Sequence, residues 1–283
     1  MKKEEVIKAL EKEDNRLVAY LDILGFQEHI RRYINPKQEA DKQIIKIINS
    51  SLKNANMAIK TGENKDLKLI TYRNFSDCFC FSIPEYYHGF NESTMLSLFI
   101  THSNFFNFNL LKNGICLRGG MSFGFHREEE DIIFSEGLIK AYKLEKKEVY
   151  PRIVIDEELV KRLKRLWKDD KKVLSDFSID KKIIVDKDGT TFINPFNVMK
   201  SLGRMTLEVQ RKKFESNRDY KKYVQELNQS YHREIQNILK NKIVEYQTDD
   251  HILQKYKWLN KLLTWNRNPK RSKMKFKFLL KPK

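Results

Sequence analysis

The hydrophobic pattern at the start of the chain predicts one strand followed by two helices. A short apolar run at residues 17–21 ends at Asp22, as a buried strand would. Apolar residues then recur at helical spacing from Phe26 until Pro36, where proline ends the pattern. A second amphipathic stretch, which we also expect to be a helix, begins at Ile44.

A hairpin and a long helix follow in the pattern. Residues 67–73 and 78–83 alternate as the strands of a hairpin, and residues 74–77 between them predict a four-residue turn that carries Asp77. Residues 91–112 are apolar on more than one face, which is typical of a helix in the core.

The next elements complete a recognisable order. Residues 115–125 predict a strand interrupted by glycines, and a short strand at 131–134, a helix at 136–146 and a strand at 152–155 come after it. Up to residue 125 the order is that of the split β-α-β arrangement, a ferredoxin-like palm. The predicted fold class is therefore α+β, and a palm by itself does not identify a reaction.

The composition favours a packed chain that does not cross a membrane. Hydrophobic residues make up 40% and aromatic residues 12% of the 283 positions, which excludes a disordered or fibrous protein. No apolar run approaches the roughly 18 to 20 residues that a membrane helix needs. The first residues lead into a charged helix, not into an apolar signal core. We therefore expect a cytoplasmic protein without a membrane span.

Cysteine and histidine do not form a metal-binding pattern. Cys78, Cys80 and Cys116 have no metal-ligand spacing, and we interpret them as reduced core thiols. The six histidines are scattered, so a zinc enzyme is not predicted. Any metal would have to be held by carboxylates.

The positive charge is concentrated in the last third of the chain. The formal net charge is +17, and residues 201–283 contain 21 Lys and Arg against 8 Asp and Glu. We infer a boundary near Gly203, with one domain at 1–200 and a basic, mainly helical extension at 201–283. A helical seam between residues 220 and 238 and an edge strand at 274–278 are predicted in the extension.

This charge suggests two kinds of partner. A basic surface suits nucleic acid or an anionic membrane, but no RNA-binding aromatic motif or helix-turn-helix signature accompanies it, so nucleic acid is the disfavoured partner. We interpret the charge as a solvated basic face that helps to attract a nucleoside triphosphate.

Two aspartates are the strongest candidates for chemistry. Asp22 ends the first strand and Asp77 lies in the hairpin turn, and in a β-α-β-β palm the two can converge on one point. Mg²⁺ prefers such oxygen ligands together with substrate phosphates. Gly25 and Phe26 lead into a helix N-terminus, whose free N–H groups favour a bound triphosphate. The alternative is that Asp22 caps the helix and Asp77 only stabilises its turn.

Several segments together resemble one enzyme family. VAYLDILGF at 18–26 looks like the first metal-aspartate motif of class III nucleotidyl cyclases, and FSDCF at 75–79 resembles their second. LRGGMSFG at 117–124, FSEGLIKAYKLE at 134–145 and YPRI at 150–153 resemble the divergent bacterial branch that includes the pyrimidine cyclases of Pycsar anti-phage systems. The resemblance spans roughly residues 16 to 156.

The resemblance implies cyclisation of a nucleoside triphosphate with release of pyrophosphate. Asp22, Asp77 and the backbone carbonyl of Ile23 would hold two Mg²⁺ or Mn²⁺ ions. The family works as a head-to-tail homodimer whose active sites lie at the subunit interface.

This chain departs from the family pattern at two kinds of position: the residues that stabilise the charge of the transition state, and the residue that recognises the base. Ile139 and Lys143 stand where the family has an asparagine and an arginine, so Lys143 is the candidate transition-state cation. Arg118 is a second candidate for the cation that binds the phosphates, and the alternative interpretation is that it is a solvated residue of a strand. Thr71 stands where purine cyclases carry a base-reading lysine.

The predicted activity is therefore cyclisation of UTP or CTP to a 3′,5′-cyclic nucleotide, a second messenger in anti-phage defence. Two alternatives stay open: a purine cyclase that uses ATP or GTP, and a catalytically silent homologue that senses nucleotides or scaffolds a partner.

Overall fold

A computed structural model describes residues 15–34, 43–58, 69–87, 89–198, 214, 216–269 and 276–280. The strands are β1 (Asn15–Ile23), β2 (Thr71–Phe75), β3 (Cys78–Pro84), β4 (Leu117–Glu129), β5 (Ile132–Ser135), β6 (Ile153–Ile155), β7 (Ile183–Val185), β8 (Thr191–Ile193) and β9 (Lys277–Phe278). The helices are α1 (Phe26–Ile34), α2 (Ile44–Ala58), α3 (Glu92–Leu111), α4 (Glu136–Lys147), α5 (Glu157–Asp169), α6 (Lys171–Asp176), α7 (Ile179–Lys182), α8 (Asn217–Glu245) and α9 (Asp250–Arg267), with a 3₁₀ turn at Pro195–Asn197.

Within these described residues, the nine strands form one mixed sheet. The strand order is β2-β3-β1-β4-β6-β8-β7-β9, and β5 pairs with β4 off this path. The pairs β2–β3, β3–β1 and β1–β4 are antiparallel, whereas β4 and β6 are parallel. The mixture of a large sheet with helices confirms the predicted α+β class.

One face of the sheet packs on the apolar helix α3. Strand β3 alternates, so that Phe79 and Phe81 turn to this face and meet Phe106 of α3 with ring centroids 5.0 and 5.2 Å apart. All three rings are buried. Residues of even number on β1 and β3 therefore belong to the opposite face, which includes Asp22.

Helix α4 covers part of this opposite face, across β1 and β4. A Cβ atom at Gly120 of β4 would lie 2.1 Å from the carbonyl oxygen of Ala141, so only glycine permits the approach. Ser122 donates a 2.6 Å hydrogen bond to the carbonyl of Gly137 at the start of the helix. The glycines of β4 thus bring α4 against the sheet.

The hairpin turn is shorter than predicted. Strand β2 stays paired until Phe75, which lies opposite Cys78, so only Ser76 and Asp77 form the turn. Ser76 adopts a left-handed φ of 57° to close it. The four-residue turn predicted for 74–77 is therefore wrong, and Asp77 stays at the tip.

Other elements depart from the sequence pattern. Strand β4 runs to Glu129, beyond the predicted end at residue 125, because its outer part pairs with β5. No element is predicted between residues 157 and 193, where three helices and two strands are present. Helix α5 has a regular apolar stripe of Leu159, Leu163 and Leu166, whereas the other segments, of three to six residues, are too short for a clear period.

The C-terminal residues join the main sheet and its helices. Strand β9 pairs with β7, where Lys277 lies opposite Val185. In α8, Ile235 is buried and Tyr231 meets Phe108 of α3 with ring centroids 6.2 Å apart, so this part of the predicted seam packs against the rest of the chain.

The boundary predicted near Gly203 falls outside the described residues, and the division into 1–200 and 201–283 stays a prediction. Of the edge strand predicted at 274–278, residues 277 and 278 form β9, whereas 274 and 275 are also outside the described residues. None of the helices in the described ranges has both the length and the hydrophobicity to cross a bilayer.

Candidate active site

The two predicted aspartates lie together at the end of the central strands. Asp22 on β1 lies opposite Cys78 of β3, the residue that follows Asp77. The N–H of Ile23 donates to the carbonyl of Asp77 over 3.1 Å, which fixes the turn against β1. Ligand atoms of Asp22, Asp77 and Cys78 all lie within 4.8 Å of one another, close enough to share one cation.

Arg118 joins this group from the other neighbouring strand. It lies opposite Asp22 in the β1–β4 pairing. Its Nε is 3.0 Å from Asp22 Oδ2 and 2.5 Å from Glu145 Oε1. Arg118 thus bridges two carboxylates and is not the free surface residue that was its alternative.

Glu145 is not among the predicted site residues. It lies near the end of α4 and is only 4% exposed. Its place on the buried face follows from its position four residues after Ala141, which packs on Gly120. The helical period could show which face Glu145 occupies, but the sequence does not reveal that this face meets the aspartates.

The burial of these carboxylates and their closeness to one another change their pKa values. Burial raises the pKa of Asp22 to about 6, with further contributions from the charges of Glu145 and Asp77, and Arg118 only partly opposes the shift. Burial also raises the pKa of Glu145, against the opposing charge of Arg118. The site therefore holds more negative charge than its one arginine neutralises.

Cys78 adds a thiol at the same place. The hydroxyl of Tyr20, two residues before Asp22 on the same face of β1, donates to Cys78 Sγ over 2.8 Å. Burial raises the pKa of Cys78 to about 11, and the nearby charge of Asp77 adds to this. The thiol is therefore protonated near neutral pH.

The predicted phosphate loop lies directly beyond Asp22. Leu24 donates its N–H to the carbonyl of Cys116 over 2.9 Å, and Gly25 then takes a left-handed φ of 76° to start helix α1. The space that a Cβ of Gly25 would occupy is open. Gly25 and Phe26 thus present a helix N-terminus beside the aspartates, where first-turn N–H groups lack helical partners.

Lys143 is not part of this cluster. It is exposed on α4, one turn after Ile139, which is 54% exposed on the same face. Within the described ranges, no hydrogen bond or ion pair links Lys143 to Asp22 or Asp77.

Thr71 lies on the same face of the sheet but farther from the carboxylates. It faces Ser82 of β3, four residues from Cys78, or about 13 Å along the strand. Its hydroxyl lies 2.7 Å from Ser82 Oγ and 2.6 Å from Glu128 Oε1. His126 also contacts this oxygen through Nε2 at 2.8 Å. Thr71 thus belongs to a second cluster of polar side chains on this face of the sheet, together with Ser82, Glu128 and His126.

Comparison with known proteins does not assign this chain to a family. No protein-family model matches the chain, and no curated protein matches it. Among solved structures, that of a bacterial light-regulated adenylyl cyclase aligns with a TM-score of 0.34 at 9% sequence identity. The match covers 64% of this chain and 52% of that one, so this chain spans about half its length. A TM-score this low supports no conclusion about function, so any functional argument must come from the geometry of the site.

Proposed function

We propose that the protein is a nucleotidyl cyclase that uses two Mg²⁺ or Mn²⁺ ions to convert UTP or CTP into a 3′,5′-cyclic nucleotide and pyrophosphate. The observation that carries this proposal is the convergence of Asp22 and Asp77 at one end of the central strands, beside an open helix N-terminus. The strand order β2-β3-β1-β4 is the one expected of a ferredoxin-like, cyclase-like palm, and supports it.

The residues present fit a hard divalent cation. Arg118 contacts Asp22 and Glu145, and Asp77 lies beside Asp22. Burial raises the pKa of Asp22, and the charges of Glu145 and Asp77 add to the shift. Oxygen donors of this kind suit Mg²⁺ and Mn²⁺. In the proposed site Asp22, Asp77 and the carbonyl of Ile23 hold the ions. When bound, the ions supply positive charge to the attacking and leaving oxygens of an in-line displacement.

The chain's own residues bind and orient the substrate. The first-turn N–H groups at Gly25 and Phe26 bind the phosphates. Arg118, which contacts Asp22, would bind the α-phosphate, and Glu145 orients its guanidinium from α4. The ribose 3′ hydroxyl would lose its proton to solvent as its oxygen attacks the α-phosphorus, the bond from that phosphorus to the bridging oxygen would break, and pyrophosphate would leave.

The base is proposed to lie near Thr71. The distance of about 13 Å along β3 between Thr71 and the carboxylates is suitable for a nucleotide that extends from its base to its phosphates. A short hydroxyl there, in place of a long ammonium, favours a pyrimidine. The cyclic product would serve as a second messenger in anti-phage defence.

The exposed face of α4 supports a homodimer with shared sites. Lys143 and Ile139 point away from their own carboxylates and are free to face a second copy of the chain. Lys143 of one subunit would then provide the transition-state cation for the other. A catalytically silent homologue would share the fold but give no turnover.

The test of the metal site combines binding and turnover. Asp22→Asn and Asp77→Asn should each weaken Mn²⁺ binding, measured by calorimetry, and lower turnover at least about 100-fold, because each removes one anionic ligand. Asp131→Asn, at an exposed turn, is the matched control and should change neither. Circular dichroism checks the fold. Near wild-type activity in either site variant would show that the two-metal assignment is wrong.

A further inference from the structure

The thiol of Cys78 lies against both aspartates of the candidate site. Its Sγ is 3.8 Å from Asp22 Oδ1 and 3.8 Å from Asp77 Oδ1. Cys78 lies opposite Asp22 in the β1–β3 pairing, so both side chains stand on the same face of the sheet. All three residues are partly exposed, so a cation can reach them from solvent.

The spacing of these three ligand atoms fits one cation between them. In tetrahedral sites Zn²⁺ binds thiolate sulfur at about 2.3 Å and carboxylate oxygen at about 2.1 Å, which places two such ligand atoms about 3.6 Å apart. Both observed sulfur–oxygen distances are 3.8 Å, and all three atoms lie within 4.8 Å of one another. A small side-chain adjustment therefore completes three positions of a tetrahedral centre and leaves the fourth open.

Hydrogen bonding by the thiol does not explain this arrangement. A thiol has one weak donor, whereas carboxylate oxygens of Asp22 and Asp77 lie equally far from the sulfur. The hydroxyl of Tyr20 donates to Cys78 Sγ over 2.8 Å, and its ring packs edge-on against Tyr142 with centroids 5.4 Å apart. A neighbouring group that hydrogen-bonds to a ligand and holds its orientation is typical of metal sites.

A sulfur ligand changes which ions the site prefers. Mg²⁺ takes oxygen ligands in near-ideal octahedral geometry, whereas thiolate sulfur favours Zn²⁺. For a given set of oxygen, nitrogen and sulfur ligands, Co²⁺ also binds more tightly than Mn²⁺. The cysteine spacing in the sequence does not indicate this site, because only Cys78 takes part and the hairpin turn brings the aspartates to it.

We propose that Cys78 is a third protein ligand of one ion in this site, through its sulfur, so that the site binds Zn²⁺ and Co²⁺ in preference to Mg²⁺. This inference rests on the metal site of the proposed function, to which it adds a ligand, and does not depend on which nucleotide is cyclised. As the metal–sulfur bond forms, the S–H bond breaks and its proton passes to solvent, with no change in oxidation state. The alternative is a thiol that only packs beside the two aspartates.

The test measures the absorption of the full-length chain with Co²⁺, because a cobalt–sulfur bond gives an intense charge-transfer band in the near ultraviolet that oxygen ligands do not give. We expect this band in the wild type and its loss in Cys78→Ser. Calorimetry should show Zn²⁺ binding weakened at least about tenfold in Cys78→Ser, since loss of a group that only orients a ligand already costs about that much. Mg²⁺ binding should be nearly unchanged.

Cys80→Ser is the matched control, because Cys80 is a buried thiol two residues along β3. It should keep both the cobalt band and the wild-type affinity for Zn²⁺. A thermal melt confirms that the variants are folded.

The outcomes separate the sulfur ligand from the metal site on which it rests. Co²⁺ bound by the wild type without the band, or a band that persists in Cys78→Ser, would overturn the role of Cys78. Weaker Mn²⁺ binding in Asp22→Asn would then leave the cyclase proposal standing. A band of unchanged strength and affinity in both Asp22→Asn and Asp77→Asn would place the thiol-bound ion apart from the carboxylates and also overturn the inference. If the wild type binds none of Mg²⁺, Mn²⁺, Co²⁺ and Zn²⁺, both proposals fail.

Discussion

Two carboxylates on one face of the sheet respond to pH in opposite directions. Burial raises the pKa of Asp22 to about 6, so the fold favours its protonated form. Burial also opposes ionisation of Glu128, but hydrogen bonds from His126, Thr71 and Ser82 outweigh it and hold the pKa of Glu128 near 2. The surroundings of each carboxylate, not its residue type, decide whether it strains or stabilises the fold.

The acid sensitivity of the fold should depend on Glu128. Because its folded-state pKa is lowered from 4.5 to about 2, its contribution is present above pH 4.5 and is lost as pH falls towards 2. The contribution is at most about 3 kcal/mol. Glu128→Gln should therefore be less stable than the wild type at pH 6, and the gap should shrink by pH 3.

Urea unfolding across this pH range measures the gap. Glu129→Gln is the matched control, because Glu129 is the next residue of β4 and its side chain is 71% exposed. A gap between Glu128→Gln and wild type that stays constant from pH 6 to pH 3 would show that the hydrogen bonds do not hold the charged form.

The proposed base choice is also tested at a single residue. Thr71→Val keeps the shape of the side chain and removes the hydroxyl that Glu128 and Ser82 contact. We expect the ratio of UTP or CTP turnover to ATP or GTP turnover to fall several-fold, while the dependence on Mn²⁺ is unchanged, because the metal ligands are about 13 Å away. An unchanged ratio in a competition assay would mean that the base is read elsewhere.

At the scale of elements, the contact between α4 and β4 sets the position of Glu145. The helix reaches the sheet only because Gly120 has no side chain, and the same contact brings Glu145 to Arg118. A change in this packing should therefore affect both stability and the site.

Gly120→Ala tests this contact. The added Cβ would meet the backbone oxygen of Ala141 at 2.1 Å, so the helix must move and stability should fall by about 3 kcal/mol, the upper end of the usual cost of overpacking. Gly124→Ala is the comparison, because its Cβ would meet its nearest atoms at 3.1 Å, and it should cost less. Chemical unfolding measures both. Equal stability of the two variants would contradict this account of the packing.

How far the sequence predicts these elements depends on whether the signal is local. Alternation along β1 and the turn at Asp77 are local patterns, and they are sufficient to locate both aspartates. Glu145 reaches the site through packing between elements distant in sequence, which no local period encodes. The elements α6, α7, β7 and β8 escape prediction for a different reason, since segments of three to six residues show no clear period.

At the scale of the whole molecule, the C-terminal helices are tied to the elements that form the site. Arg32 of α1 lies 2.7 Å from Glu245 and donates to the hydroxyl of Tyr246 over 2.8 Å. Trp258 of α9 stacks on Tyr150, just before β6, with ring centroids 5.2 Å apart. Helix α1 begins at the proposed phosphate loop, so the C-terminal region contacts an element that starts beside the candidate site.

The proposed homodimer makes a prediction about mixed subunits. Asp22→Asn removes a metal ligand and Lys143→Ala removes the cation offered to the partner, so each variant alone should be inactive. Mixing them should restore one complete site per heterodimer, or up to about a quarter of wild-type activity for random exchange. No recovery after confirmed subunit exchange would contradict a shared site or the role of Lys143.

The most direct measurement is to incubate the protein with each of UTP, CTP, ATP and GTP in the presence of Mn²⁺ and to identify the products by mass. The account predicts a 3′,5′-cyclic nucleotide and pyrophosphate, formed faster from UTP or CTP, and no product with Asp77→Asn. Faster turnover of ATP or GTP would contradict the pyrimidine assignment alone. If the folded, Mn²⁺-bound protein forms no cyclic product from any of the four, the central claim is wrong.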